Sequence, residues 1–234
     1  MTSEEKEQWI CTALDVEGGI RPGSPIKPVM RGVAAKDLRW PQGKNLKVYF
    51  FQGNSDMHNK FMEIAKMWLP PGEVSLTLGQ TTNISESHIR VTFDPKSLDG
   101  TYWSLIGTQS ISESSKNQPT LNVSEVRPDM VLHEFGHALG LVHEQAHKDA
   151  NIQWNKDEVY LDLKKEGPKW TKDYVDTWVF EQFDKSKEVI TKFDIESVMM
   201  YPIRKGWVTG VKPREVPMKL SEGDKATIRK LYPA

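Results

Sequence analysis

His133-Glu134-Phe135-Gly136-His137-Ala138-Leu139-Gly140-Leu141-Val142-His143 has the spacing H-E-x-x-H-x-x-G-x-x-H. On a helix, residues i and i+4 lie one above the other, so His133 and His137 can aim ring nitrogens at one ion. Glu134 sits about 100° further round, where its carboxylate reaches a water on that ion instead of adding a ligand. Gly140 supplies a left-handed C-cap at little steric cost, and the reversed chain returns His143 to the same point. Three neutral imidazoles with a coordination position left open favour zinc. A bare H-E-x-x-H also occurs as an ordinary helix with two surface histidines; the extended form, with the glycine that the geometry demands, points to a metal centre.

Around this stretch, the composition narrows the field. Lys+Arg 31 against Asp+Glu 32 leaves a net charge of -1, so no overall field recruits nucleic acid or acidic lipid, and the expected partner is a peptide or small molecule. No apolar run approaches the roughly 18 to 20 residues that cross a bilayer. The 234 residues suit one monomeric domain, or one domain in two lobes around a cleft. Cys11 is the only cysteine, which excludes an internal disulfide and fits a reducing compartment or a fold that needs no staples. Met1 to Gln8 are polar and acidic where a secretory leader is basic and then apolar, so the expected location is cytoplasmic; a secreted protein whose leader was removed is the alternative.

In chain order, residues 1–36 carry Gly18-Gly19, Pro22-Gly23, Pro25 and Pro28 and read as an extended leader. Leu46 to Phe51 reads as a strand, Gly53 to Asp56 as turn and cap, and Met57, Phe61, Ile64, Ala65, Trp68 and Leu69 as one helical stripe ended by Pro70-Pro71. Val74 to Leu78 and His88 to Asp94 follow as strands, the second alternating as a half-buried strand does. Asp99-Gly100 suggests a hairpin-like connection into a strand over Tyr102 to Ser110, and Pro119 to Val123 is one more extended piece. Beyond His143, Asn155 and Thr171 read as helix N-caps, and Ser221-x-x-Asp224 is an acidic capping box before a last helix stopped by Pro233.

The zinc motif resembles that of a metzincin metallopeptidase, and Ser197-Val198-Met199-Met200-Tyr201 resembles its Met-turn. Within that group the chain is similar to astacin-like peptidases: Glu144 follows the third histidine, Phe193-Asp194 precedes the Met-turn, Tyr201 stands two after Met199, and Leu220-Ser221 to Leu231-Tyr232 resembles their closing helix. Arg39-Trp40-Pro41 is similar to their mature start. The chain departs from them in lacking the two disulfides they usually have, in having Met200 where they have histidine, and in a leader without their aspartate-switch pattern.

The resemblance implies an α+β, metzincin-type two-lobed zinc peptidase domain over residues 37–234. A mixed twisted sheet and the active-site helix would lie above the cleft (about 37–140), and an irregular, helical lobe below it (about 141–234). Residues 1–36 would be a leader, either propeptide or permanent extension. The implied activity is that of a zinc-dependent endopeptidase. His133, His137 and His143 would hold Zn2+, Glu134 would be the general base, Gly140 would shape the turn, Met199 would floor the site without ligating, and Tyr201 would donate to the tetrahedral intermediate. Substrate would bind as an extended strand along Tyr102 to Ser110. The rivals are an enzyme on the same scaffold with a non-protein or biosynthetic substrate, and an inert zinc-stabilised binding protein.

Other residues read more plainly. Met200 is core or pocket wall, Glu144 is an exposed ion-pairing residue or, as the resemblance implies, a tether for an N-terminus formed by cleavage near Ala34-Ala35, and His58, His88 and His147 are surface histidines without ligand spacing. Cys11 is a reduced cysteine or a thiolate that silences the metal in a latent form.

Overall fold

Among the described residues, a six-stranded sheet runs in the order β1 (Thr12–Leu14), β5 (Trp103–Leu105), β6 (Leu121–Asn122), β4 (Ile89–Thr92), β2 (Asn45–Phe50), β3 (Thr77–Gln80). The computed structural model describes residues 12–14, 38–96, 102–112, 115–168, 170–181 and 191–234. The suggested connection at Asp99-Gly100, the cysteine at 11 and the rest of the leader lie outside them. Every neighbouring pair is parallel except β5 with β6.

In β2, Leu46, Val48 and Phe50 are buried and alternate with more exposed residues, the period expected of a pleated strand. Helix α1 (Ser55–Lys66) follows, its first turn capped by the Asn54 side chain, which accepts from the Met57 amide at 3.0 Å. Its buried stripe of Phe61, Met62, Ile64 and Ala65 faces the core. Phe61 meets Phe135 edge to face, and the Trp68 indole, just past α1, donates to the Leu132 carbonyl at 3.0 Å, locking this segment against the helix that carries the histidine motif. Burial of each such aromatic stabilises by about 1.5–3 kcal/mol.

Strand β4 departs from the half-buried reading: Ile89, Arg90, Val91 and Thr92 are all buried. It lies inside the sheet between β2 and β6, and both faces are covered, as parallel sheets require. Arg90 is accommodated because its guanidinium donates to the carbonyls of Gln118 and Ser115, at 2.7 and 2.9 Å, and to that of Ser110. The strand expected at Val74 to Leu78 lies later, at Thr77–Gln80, after a turn in which Val74 bridges to Pro233. The one expected over Tyr102 to Ser110 is only Trp103–Leu105, and the chain then winds into a 3-10 turn over Gly107–Ile111.

Helix α2 (Pro128–Ala138) carries the motif and packs against α1 and β5. Pro128 fits the first turn, where no intrahelical N–H is needed. Beyond it come α3 (Lys156–Lys164), α4 (Lys172–Val175) and a π turn over Asp176–Phe180. These elements bury a second cluster that includes Val159, Leu163, Trp170, Met200, Tyr201 and Trp207. The last helix, α5 (Glu222–Leu231), returns to the first core, where Ile228, Leu231 and Tyr232 pack. Tyr232 ties three segments together: its hydroxyl donates to the Leu139 carbonyl at 2.7 Å and accepts from the Trp40 amide at 3.2 Å.

Candidate active site

The C-terminus of α2 closes as a double-bonded turn. The Gly140 amide donates to His137 O at 2.8 Å and the Leu141 amide to Gly136 O at 3.0 Å, with Gly140 at φ +98°. That pattern needs a left-handed residue, which glycine adopts without Cβ strain. The reversal delivers His143, and the ring nitrogens of His133, His137 and His143 come within 4.8 Å of one another, all buried. No other group of three histidine, cysteine or acidic side chains meets in this way among the described residues.

The backbone decides which nitrogens face inward. His133 Nδ1–H donates to Val198 O at 2.7 Å and His137 Nδ1–H to Leu141 O at 2.9 Å, so in each neutral ring Nε2 keeps its lone pair. His137 Nε2 and His143 Nε2 are 3.1 Å apart, close to the roughly 3.3 Å that separates two ligands on one tetrahedral zinc. Burial lowers His137 to about 4 and holds His133 and His143 well below the ordinary histidine range, so all three are neutral at pH 7. The donor set fits zinc in kind, number and protonation.

Glu134 is fully buried between these ligands on α2. Beneath them runs the turn over 197–201, placed at the meeting of the two cores: Met199 packs in the first cluster, Met200 and Tyr201 in the second. A Cβ on Gly136 would overlap the Met199 sulfur, so the missing side chain is what lets that floor approach the helix. The Tyr201 ring tilts over His143 with centroids 4.3 Å apart. The structure thus brings the three histidines together and sets Tyr201 against His143 and Met199 against Gly136, with Glu134 on the same helix and Gly140 at its C-terminus.

Several supports have no counterpart in the motif. Asp224 caps α5 and also accepts from Ser197 Oγ at 2.6 Å and the Val198 amide at 3.0 Å, so the helix cap holds the turn that orients His133. Only the Ser221-x-x-Asp224 spacing hinted at it. Glu144, expected to be exposed, is buried; it accepts from the Asp194 amide at 2.8 Å, and burial pushes its carboxyl up to about 8. His147 is fully buried as well, accepting from the Asp149 amide at Nδ1 and donating from Nε2 to Thr191 O. Neither burial is legible locally, because the segment they pack against, 191–194, is more than forty residues away. An open hollow of about 850 Å³ over Asp194, Ser221 and Glu222 adjoins this network and contains none of the histidines.

The family model described as Astacin, a peptidase family, matches residues 35–232. The chain belongs to the astacin family. Two solved structures of myroilysin are similar to it: one is 28% identical, covering 86% of this chain and 98% of that one at a TM-score of 0.76, and the other 25% identical, covering 98% and 93% at 0.63. High choriolytic enzyme 1, a hatching enzyme zinc-protease from Oryzias latipes (Medaka fish), shares the fold at 16% identity, covering 85% and 96% at a TM-score of 0.57. No curated protein sequence matches the chain. As an astacin-family member it is a zinc metalloendopeptidase with the metzincin fold, acting on peptides or proteins, and among its described residues no helix is long and apolar enough to cross a membrane.

Proposed function

We propose that residues 37–234 cleave internal peptide bonds with Glu134 as the general base and Tyr201 as the oxyanion donor. The observation that carries this reading is the burial of Glu134 on the helix that aims His133 and His137 inward. Zinc, when bound by the three histidines, lowers the pKa of a water toward neutrality and polarises a carbonyl. Glu134 takes a proton from the attacking water and returns it to the leaving nitrogen as the C–N bond breaks. The Tyr201 phenol donates to the oxygen that becomes negative, a contribution of a few kcal/mol when the donor is preorganised. Met199 fills the floor with a soft thioether that does not compete for a site already holding three imidazoles.

An extended substrate would lie along β5, whose main-chain groups pair with any sequence. The parallel pairing of Thr12–Leu14 with Trp103–Leu105 supports the further reading that residues 1–36 are a propeptide, since β1 occupies the outer edge of that strand. Glu134→Gln should retain one equivalent of zinc while peptide cleavage falls at least about 100-fold. Cleavage at the wild-type rate by that variant would remove Glu134 from the mechanism.

A further inference from the structure

The 3-10 turn that follows the third ligand, Glu144–Ala146, grips the 197–201 turn at two points. The Glu144 amide donates to Met199 O at 3.0 Å, and Gln145 Oε1 accepts from the Tyr201 amide at 3.2 Å. Gln145 is 2% exposed, and its Nε2 has no hydrogen-bond partner among the described residues. A buried amide with an idle donor is a costly way to fill space, and methionine would fill it without that cost. What the glutamine supplies is its one engaged atom, the acceptor on Tyr201.

We infer that Gln145 is the positioning residue for Tyr201, resting on the reading of that phenol as the oxyanion donor. The amide side of Tyr201 is pinned by Gln145, and Pro202 restricts its backbone on the other side to extended geometry. With the backbone held on both sides, the ring is set against His143, centroids 4.3 Å apart, and the phenol is held beside the metal site. Gln145 therefore acts through Tyr201 and makes no contact with substrate.

The test uses the zinc-loaded chain and its variants Gln145→Met, Tyr201→Phe and the double variant, each checked for one equivalent of zinc. Tyr201→Phe should lower kcat about 100-fold. Gln145→Met should lower it about tenfold with KM within about twofold, and should cost less than about twofold more in the Tyr201→Phe background, the non-additivity of two groups acting as one. Amide exchange at Tyr201 should quicken at least about tenfold in Gln145→Met while that of Val198 stays unchanged. Full additivity, or an unaltered Tyr201 amide, overturns the inference. A Tyr201→Phe variant with wild-type kcat defeats the underlying role of the phenol instead, and the exchange result still reports on Gln145. If Gln145→Met does not take up zinc, the labelled wild-type chain must show scalar coupling between the Tyr201 nitrogen and the Gln145 side-chain carbonyl carbon; its absence also overturns the inference.

Discussion

The His133 ring donates from Nδ1 to the carbonyl of Val198 at 2.7 Å, across 65 residues of sequence. The lower turn therefore sets the tautomer of a ligand on the upper helix. Because His133 and His137 lie on α2, which packs in the first core, while His143 packs on Tyr201 of the second, metal binding and folding are coupled. Stripping the zinc should abolish cleavage and lower the melting temperature. Zinc at 1,000 times its dissociation constant should restore about 4 kcal/mol. Scanning calorimetry with and without chelator checks this, and coincident transitions would refute it.

Gly136 leaves room for the floor, since a Cβ there would displace Met199 Sδ and crowd Trp68 in a packed core. Gly136→Ala should destabilise by about 1–3 kcal/mol through overpacking, outweighing the roughly 0.5–1 kcal/mol that alanine contributes within a helix. Met199→Leu, which nearly conserves volume, should cost less than about 1.5 kcal/mol. Urea midpoints decide; a Gly136→Ala protein as stable as wild type would show that the floor yields freely.

The zinc-free chain should be sensitive to mild acid. Burial lowers His137 to about 4 and puts His133 and His143 well below their ordinary range, whereas in the unfolded chain all three titrate near 6.5. Between about 6.5 and about 4 the unfolded state binds more protons, so stability falls as pH falls through that window, by at most about 1.4 kcal/mol per histidine per pH unit. Glu144, raised to about 8, works in the opposite sense. The clean measurement is therefore denaturation of zinc-free Glu144→Gln at pH 7 and pH 5. Equal stability at the two values would contradict the buried, neutral histidines.

Removal of residues 1–36 should raise the rate on a short peptide at least about tenfold, because β1 then no longer occupies the outer edge of β5. Equal rates before and after removal, with zinc content unchanged, would make the segment a permanent extension.

What could be read from the sequence alone was whatever is local. The i, i+4 histidines, the glycine after the helix, the cap before α1 and the box before α5 each declare themselves within a few residues, and each stands where its spacing puts it. What escaped depends on distant partners. Arg90 looked like the solvent side of a strand because the carbonyls that accept from it belong to residues 110–118. Glu144 and His147 looked exposed because 191–194 covers them. Asp224 announced a helix cap, and nothing nearby told of its second task at Val198.

Arg90 also bears on how the sheet is held without a sulfur bridge. Its guanidinium gathers carbonyls from Ser110, Ser115 and Gln118 and so closes the loop that leaves β5. With Cys11 as the only cysteine, no internal sulfur bridge shares that task. A loop fastened by a cation to its own carbonyls is indifferent to thiols and oxidants alike. The anchoring of that loop is thereby independent of the redox state of the surroundings.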